Sequence, residues 1–197
     1  MILLTPGPLT TRPETREAML QDWGSRDPAF IALTASLRQG LVRLAHGETS
    51  HTAVPIQGSG TFAVEAAIGT LVGPSQKLLV LANGRYGERM AAIAERLGRA
   101  TVLLQWPERE CVDPERLRRE LQADPSITHV GVIHCETTSG ILNPLDEIAR
   151  VVAEEKRLLI LDAMSSFGAI PVSLGECEID YLVSSANKCI EGVPGFG

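Results

Sequence analysis

No stretch of this sequence is apolar enough to cross a bilayer. The longest apolar runs, such as Leu158–Leu161, fall far short of the roughly 20 residues that a spanning helix needs. Basic residues are not in excess either. The net charge is -6 at pH 7, so the chain lacks the electrostatic footprint of a nucleic-acid or anionic-membrane binder. The four cysteines, Cys111, Cys135, Cys177 and Cys189, form no CxxC pair. That argues against a zinc knuckle or a redox dithiol and leaves free thiols of a reducing compartment as the expectation. The opening Met1–Pro8 has no basic segment, and its apolar run is too short for a secretory leader. The expected location is the cytoplasm. Internal repeats, low-complexity tracts and long linkers are also missing.

What is present is an ordinary globular balance, with 44% apolar and 21% charged residues in 197. That length suffices for one domain with a sizeable core. Short apolar runs at Leu78–Leu81, Thr101–Leu104, His129–Ile133 and Leu158–Leu161 predict strands, with another over Asp180–Val183. Their continuity suits a sheet covered on both faces. Helical spacing predicts helices over Phe62–Leu71, Arg85–Leu97, Pro114–Leu121 and Pro144–Glu155. Asp113 and Asn143 are the expected N-caps of the last two, each before a proline at the first helical position, and Gly98 is an expected C-terminal stop. The alternation predicts an α/β fold with a mostly parallel sheet. Residues 1–12, rich in proline and glycine, read as an extended arm. Residues 13–197 read as the domain, which stops at Gly197 in a glycine-rich turn where another strand is expected.

Three segments carry chemistry. Gly58-Ser59-Gly60-Thr61 opens the Phe62 helix. There, glycine allows close backbone approach, and free N–H groups, the helix dipole and two hydroxyls suit an anion. It is not a P-loop, because the GK[ST] ending is absent, and it lacks the third glycine of a dinucleotide fingerprint. Asp162 follows the Leu158 strand, where open α/β sheets place ligands. Lys188 lies just past the last predicted strand among small residues, where enclosure lowers an amine pKa and makes it a nucleophile toward an aldehyde. Each has a blander role available: Ser59 as a helix cap, Asp162 as a turn cap, Lys188 as a surface lysine. Together they match pyridoxal 5'-phosphate (PLP), which needs an anion site, an acid at its pyridine nitrogen and an amine for its aldehyde. Tyr86, after the Leu78 strand, has a ring to lay on the cofactor face or to pack under a helix start. Thr138, in the Glu136-Thr137-Thr138-Ser139-Gly140 turn, has a hydroxyl for the phenolic oxygen or serves only the turn.

Particular wording narrows the assignment. Leu4-Thr5-Pro6-Gly7-Pro8-Leu9-Thr10, Gln57-Gly58-Ser59-Gly60-Thr61-Phe62-Ala63, Glu136-Thr137-Thr138-Ser139-Gly140-Ile141-Leu142-Asn143-Pro144, Asp162-Ala163-Met164-Ser165-Ser166-Phe167-Gly168 and Ser184-Ser185-Ala186-Asn187-Lys188-Cys189-Ile190-Glu191-Gly192 run the length of the chain. In these segments the sequence resembles the 2-aminoethylphosphonate–pyruvate aminotransferases, in the class V group of fold-type I PLP enzymes. The resemblance implies a three-layer large domain with a mostly parallel mixed sheet, incomplete at its C-terminus, and no small C-terminal domain. It implies that Lys188 holds the cofactor and Asp162 binds its pyridine nitrogen. Ser59, Gly60 and Thr61 would hold the phosphate with help from Asn187. Tyr86 would stack on the ring and Thr138 reach the phenolic oxygen, while Pro6 and Gly7 border the substrate. It further implies a homodimer that converts 2-aminoethylphosphonate and pyruvate to phosphonoacetaldehyde and alanine. The arginine for the substrate carboxylate, and the residues that a partner subunit lends to the phosphate, would lie beyond Gly197. Another class V enzyme, such as an alanine–glyoxylate aminotransferase, and a fragment that is inactive or binds PLP only, remain open alternatives.

Overall fold

The structure is a computed structural model and describes residues 2–197. Residues 2–12 have no regular secondary structure. In chain order follow α1 (Pro13–Glu17), a 3-10 turn (Ala18–Leu20), α2 (Pro28–Leu44), β1 (Gln57–Gly58), α3 (Gly60–Leu71), β2 (Lys77–Ala82), α4 (Arg85–Arg96), β3 (Ala100–Gln105) and α5 (Pro114–Ala123). The chain continues through β4 (Ile127–Ile133), β5 (Cys135–Glu136), β6 (Ile141–Leu142), α6 (Leu145–Glu154), β7 (Leu158–Asp162), β8 (Tyr181–Val183) and β9 (Gly195–Phe196).

Five strands form the central sheet in the order β3-β2-β4-β7-β8, and every neighbouring pair is parallel. Antiparallel pairing is confined to two small pairs, β1 with β9 and β5 with β6. Strand side chains alternate between two cores. Leu78 and Val80 join Val64, Ile68, Met90 and Ala94 of α3 and α4 on one face. Leu79 and Leu81 join Leu117, Leu121, Ile148 and Val152 of α5 and α6 on the other. Both sheet faces are therefore covered, which is why the strands read as unbroken apolar runs. The order doubles back between β2 and β4. A crevice opens at such a reversal, outside the carboxyl ends of the strands.

The helix ends follow local chemistry. Asp113 accepts a hydrogen bond from the Glu115 N–H at 2.9 Å. Gly98, at φ +68°, closes α4: its N–H donates to the Glu95 carbonyl and the Arg99 N–H to that of Ala94. Asn143 does not cap α6. Its side chain is buried between strands instead, donating to the Ile133 carbonyl at 2.8 Å and accepting from the Val112 N–H at 3.0 Å. The helix begins one residue past Pro144, without a side-chain cap. α2 was not expected from apolar spacing, and none of its residues is fully buried. Its start was nevertheless legible, because Asp27 accepts from the Ala29 N–H just as Asp113 caps α5.

Candidate active site

The carboxyl ends of β2, β4, β7 and β8 deliver the candidate residues. In register, Ile133 of β4 lies beside Asp162 of β7, and Asp162 beside Val183 of β8. Asp162 is only 6% exposed. Burial lifts its carboxyl from the ordinary 3.8 to about 6, against the lowering effect of the Met164 N–H, which donates to Oδ1 at 3.0 Å. The nearby Glu136 charge raises it further, and the Lys188 charge lowers it.

Lys188 reaches the same place from the loop after β8. A cleft of about 280 Å³ is lined by Tyr86, Ile133, Thr137, Asp162, Met164, Ser165 and Lys188. Lys188 Nζ donates to the carbonyl oxygen of Gly7 at 3.0 Å. The N-terminal arm thus lies directly on the lysine. The approach needs glycine: at φ +153°, a Cβ on Gly7 would come within 2.7 Å of the Asn187 carbonyl oxygen and still closer to the Lys188 stem.

A second hollow, of about 240 Å³, shares Tyr86, Asp162 and Met164 with the first and extends to Thr61 and Arg89. It leads to the N-terminus of α3. Ser59 caps that helix, its Oγ accepting from the Phe62 N–H at 3.1 Å. Gly60 is needed for packing, since a Cβ there would fall 2.5 Å from Met164 Sδ and 2.9 Å from Ser185 Cβ. The Arg89 guanidinium stands 5.2 Å from the Tyr86 ring centroid and donates to Thr61 Oγ1 at 3.5 Å. Asn187 is held by Ser185, whose hydroxyl donates to Asn187 Oδ1 at 2.6 Å.

The fold thus gathers Lys188, Asp162, Tyr86 and Thr61 around adjoining hollows, with Ser59 and Gly60 at the helix start and Gly7 against the lysine. Thr138 behaves differently from its neighbour. Its hydroxyl donates to Glu136 Oε1 at 2.8 Å, while Thr137 lines the cleft. Sequence reasoning missed Glu136, which is fully buried, and Arg89. Glu136 had a signal, an acid just past an apolar strand, but the Tyr86 amide that it accepts from lies 50 residues earlier. Among the described residues no group of three or more His, Cys, Asp or Glu side chains could hold a metal ion. Nor is any helix long and apolar enough to cross a membrane. The arrangement suits a flat ring with an anion at one end, a basic nitrogen beside Asp162 and an electrophilic carbon beside Lys188.

Known proteins carry the same pattern. The class-V aminotransferase family profile matches residues 24–197. A 2-aminoethylphosphonate–pyruvate transaminase of Pseudomonas fluorescens is 58% identical over 196 residues, covering 100% of this chain and 53% of that one. One from Syntrophobacter fumaroxidans is 52% identical with the same coverage. The chain therefore spans about half the length of the curated relatives it matches. Among solved structures, pyridoxamine–pyruvate aminotransferase from Mesorhizobium loti superposes with a TM-score of 0.91 at 32% identity, over 100% of this chain and 50% of that one. Alanine–glyoxylate aminotransferase from Nostoc sp. gives 0.91 at 30% identity, over 99% and 52%. By sequence and by fold-type I architecture, the chain belongs to the class-V aminotransferase family.

Proposed function

We propose that this chain carries the PLP-binding half of a 2-aminoethylphosphonate–pyruvate aminotransferase, with residues 1–12 as an arm and 13–197 as the large domain. The observation that carries the reading is Asp162. A carboxyl pushed to about 6 by burial shares one cleft with a lysine amine and a tyrosine ring. Buried acids are costly, and a partner that carries a positive nitrogen offsets that cost. The donor set fits PLP group by group: Asp162 for the pyridine nitrogen, Lys188 for the aldehyde and Tyr86 for the ring face. The α3 N-terminus, with Ser59, Gly60 and Thr61 and with Asn187 nearby, fits the phosphate.

When bound, PLP supplies an electron sink for the bond that breaks at the substrate Cα. The protein's part is holding and proton transfer. Asp162, charged against the pyridine nitrogen, keeps that nitrogen protonated. Lys188 Nζ holds the cofactor and, once free, takes the proton from the substrate Cα. The Gly7 carbonyl gives the freed amine an acceptor, and Pro6 and Gly7 border the substrate side. A phenolic oxygen needs a donor. Thr138 supplies it once its hydroxyl turns from Glu136, or Thr137 does so from the cleft wall.

The substrate assignment rests on relatives bearing the 2-aminoethylphosphonate–pyruvate name at 52% to 58% identity. The reaction is amino transfer from 2-aminoethylphosphonate to pyruvate, giving phosphonoacetaldehyde and L-alanine. A cytoplasmic homodimer belongs to the reading. Large apolar side chains stand exposed before and along α2, among them Leu20, Ile31 and Leu33, as expected of a face covered by protein. The four cysteines are free, as suits a reducing compartment. The test is alanine formation from pyruvate with 2-aminoethylphosphonate or serine offered separately as the amino donor. Preference for the phosphonate supports the reading, and preference for another donor overturns the substrate assignment.

A further inference from the structure

We infer that Glu136 is a positioning residue for the cofactor cleft, its buried carboxylate clamping the turn that carries Tyr86 to the turn that carries Thr137 and Thr138. The inference rests on the PLP reading for the identity of the ligand, but the clamp itself is a property of the protein alone.

Four donors converge on this one side chain. Oε2 accepts from the Tyr86 N–H at 3.2 Å and the Gly87 N–H at 3.4 Å. Oε1 accepts from the Thr138 N–H at 3.1 Å and the Thr138 hydroxyl at 2.8 Å. One oxygen therefore serves each turn. Tyr86 and Gly87 belong to the first turn of α4, whose amides have no partners within the helix. The residue before the helix, Gly84, has no side chain to cap them. A carboxylate from another strand does so instead, and its charge suits the positive end of the helix.

The surrounding backbone is built around this contact. A Cβ on Gly84 would lie 2.5 Å from Glu136 Cδ and 2.6 Å from Thr138 Oγ1. A Cβ on Gly87 would lie 2.6 Å from Ala82 Cβ. Only glycine at both places lets the α4 start descend onto the acid. The location also has a topological reason. Glu136 lies just past the end of β4, and the Tyr86 turn lies just past the end of β2. These are the two strands between which the sheet order reverses. The clamp thus closes the crevice where such folds bind ligands. Tyr86 and Thr137 both line the cleft, and neither has another hydrogen bond to Lys188 or Asp162 to fix it there. A further trace of Glu136 reaches Asp162, whose carboxyl it pushes upward.

Two variants and three readouts test this. Glu136→Ala removes all four bonds. Glu136→Gln keeps the shape but has one acceptor oxygen, so it serves one turn fully and fails the other. Hydrogen exchange on the protein without PLP is read first. Tyr86 and Gly87 amides should exchange roughly tenfold faster or more in Glu136→Ala, as expected for losing a bond to a charged acceptor, while β2 and β4 amides stay unchanged. The PLP dissociation constant should then rise by roughly tenfold. Finally, the Asp162 carboxyl, followed by carbon NMR, should titrate at lower pH in Glu136→Gln, a change that a purely structural role would not produce.

Unchanged exchange at Tyr86 and Gly87 would overturn the inference. So would loosened amides with unchanged PLP affinity. If Glu136→Ala does not fold, Glu136→Gln decides: exchange should quicken at Tyr86 and Gly87 or else at Thr138, and unchanged protection at all three amides would overturn the inference. If the wild-type protein binds no PLP at all, the cofactor reading fails and this inference falls with it. If wild type and both variants bind PLP equally, the inference alone fails.

Discussion

Asp162→Asn should stabilise the protein at neutral pH while destroying its cofactor site. The carboxyl is buried at the end of β7 and pushed from 3.8 to about 6. A raised carboxyl pKa means that the folded state prefers the protonated acid. Its contribution to stability is complete below about pH 4 and is lost as pH rises through about 6. At 1.36 kcal/mol for each pH decade between the two values, the loss is about 3 kcal/mol. Asparagine carries no charge at any pH, and its Oδ1 can keep the bond from the Met164 N–H. Urea unfolding of the PLP-free protein at pH 4 and pH 7.5 isolates the effect. The difference between variant and wild type should shift in favour of the variant by about 2 kcal/mol between the two pH values, because in the unfolded chain the carboxyl is already partly ionised at pH 4. Any packing change from the amide itself is present at both and cancels. With PLP added at pH 7.5 the ranking should reverse, because only the wild type gains binding energy at this position. A difference that does not depend on pH would refute the argument that Asp162 is a stored electrostatic cost.

Three further outcomes follow from local geometry. Lys156 closes α6 at φ +56° with the same carbonyl contacts that Gly98 makes after α4. Lys156→Gly should therefore gain about 1 kcal/mol and Gly98→Ala lose about 1 kcal/mol, read from urea midpoints. His129 is fully buried in β4 with Nε2 unpartnered, and burial pushes its pKa below the ordinary 6.5. Its neutral form supports the fold above about 6.5, and that support fades as pH falls below it. His129→Leu should flatten this acid limb in pH-dependent unfolding, and an unchanged slope would show that His129 does not cause it. Gly60→Ala forces a methyl group against Met164 and Ser185. It should cost about 1–3 kcal/mol in stability and weaken PLP binding by shifting the α3 N-terminus.

Much of the fold was readable because it rests on local chemistry. The runs at Leu78–Leu81 and Leu158–Leu161 are apolar on both faces because helices cover both faces. Asp113 and Gly98 act within one helical turn of their own positions, so residue identity was enough. The two-residue strands β1, β5, β6 and β9 are too short to show any alternation. Asn143 looked like a cap because it precedes a proline, but the gap between β4 and the segment before α5 captured its side chain. Tertiary demand for a buried amide outweighed the local preference. The candidate site divides in the same way. Asp162 and Lys188 were legible from their positions at strand ends. The Gly7 carbonyl on Lys188 is not, because 181 residues separate the pair. Glu136 and Arg89 were hidden for the same reason: their meaning lies in what they touch across the sheet, and the motif around Glu136 drew attention to its hydroxyls instead.

The most direct test of the central claim is the near-visible absorption spectrum of the purified protein mixed with PLP, recorded beside Lys188→Ala. The wild type should show a protein-bound cofactor band that is absent from the variant, because Lys188 Nζ is the amine in the cleft with Asp162 and Tyr86. Identical spectra for the two proteins would contradict it.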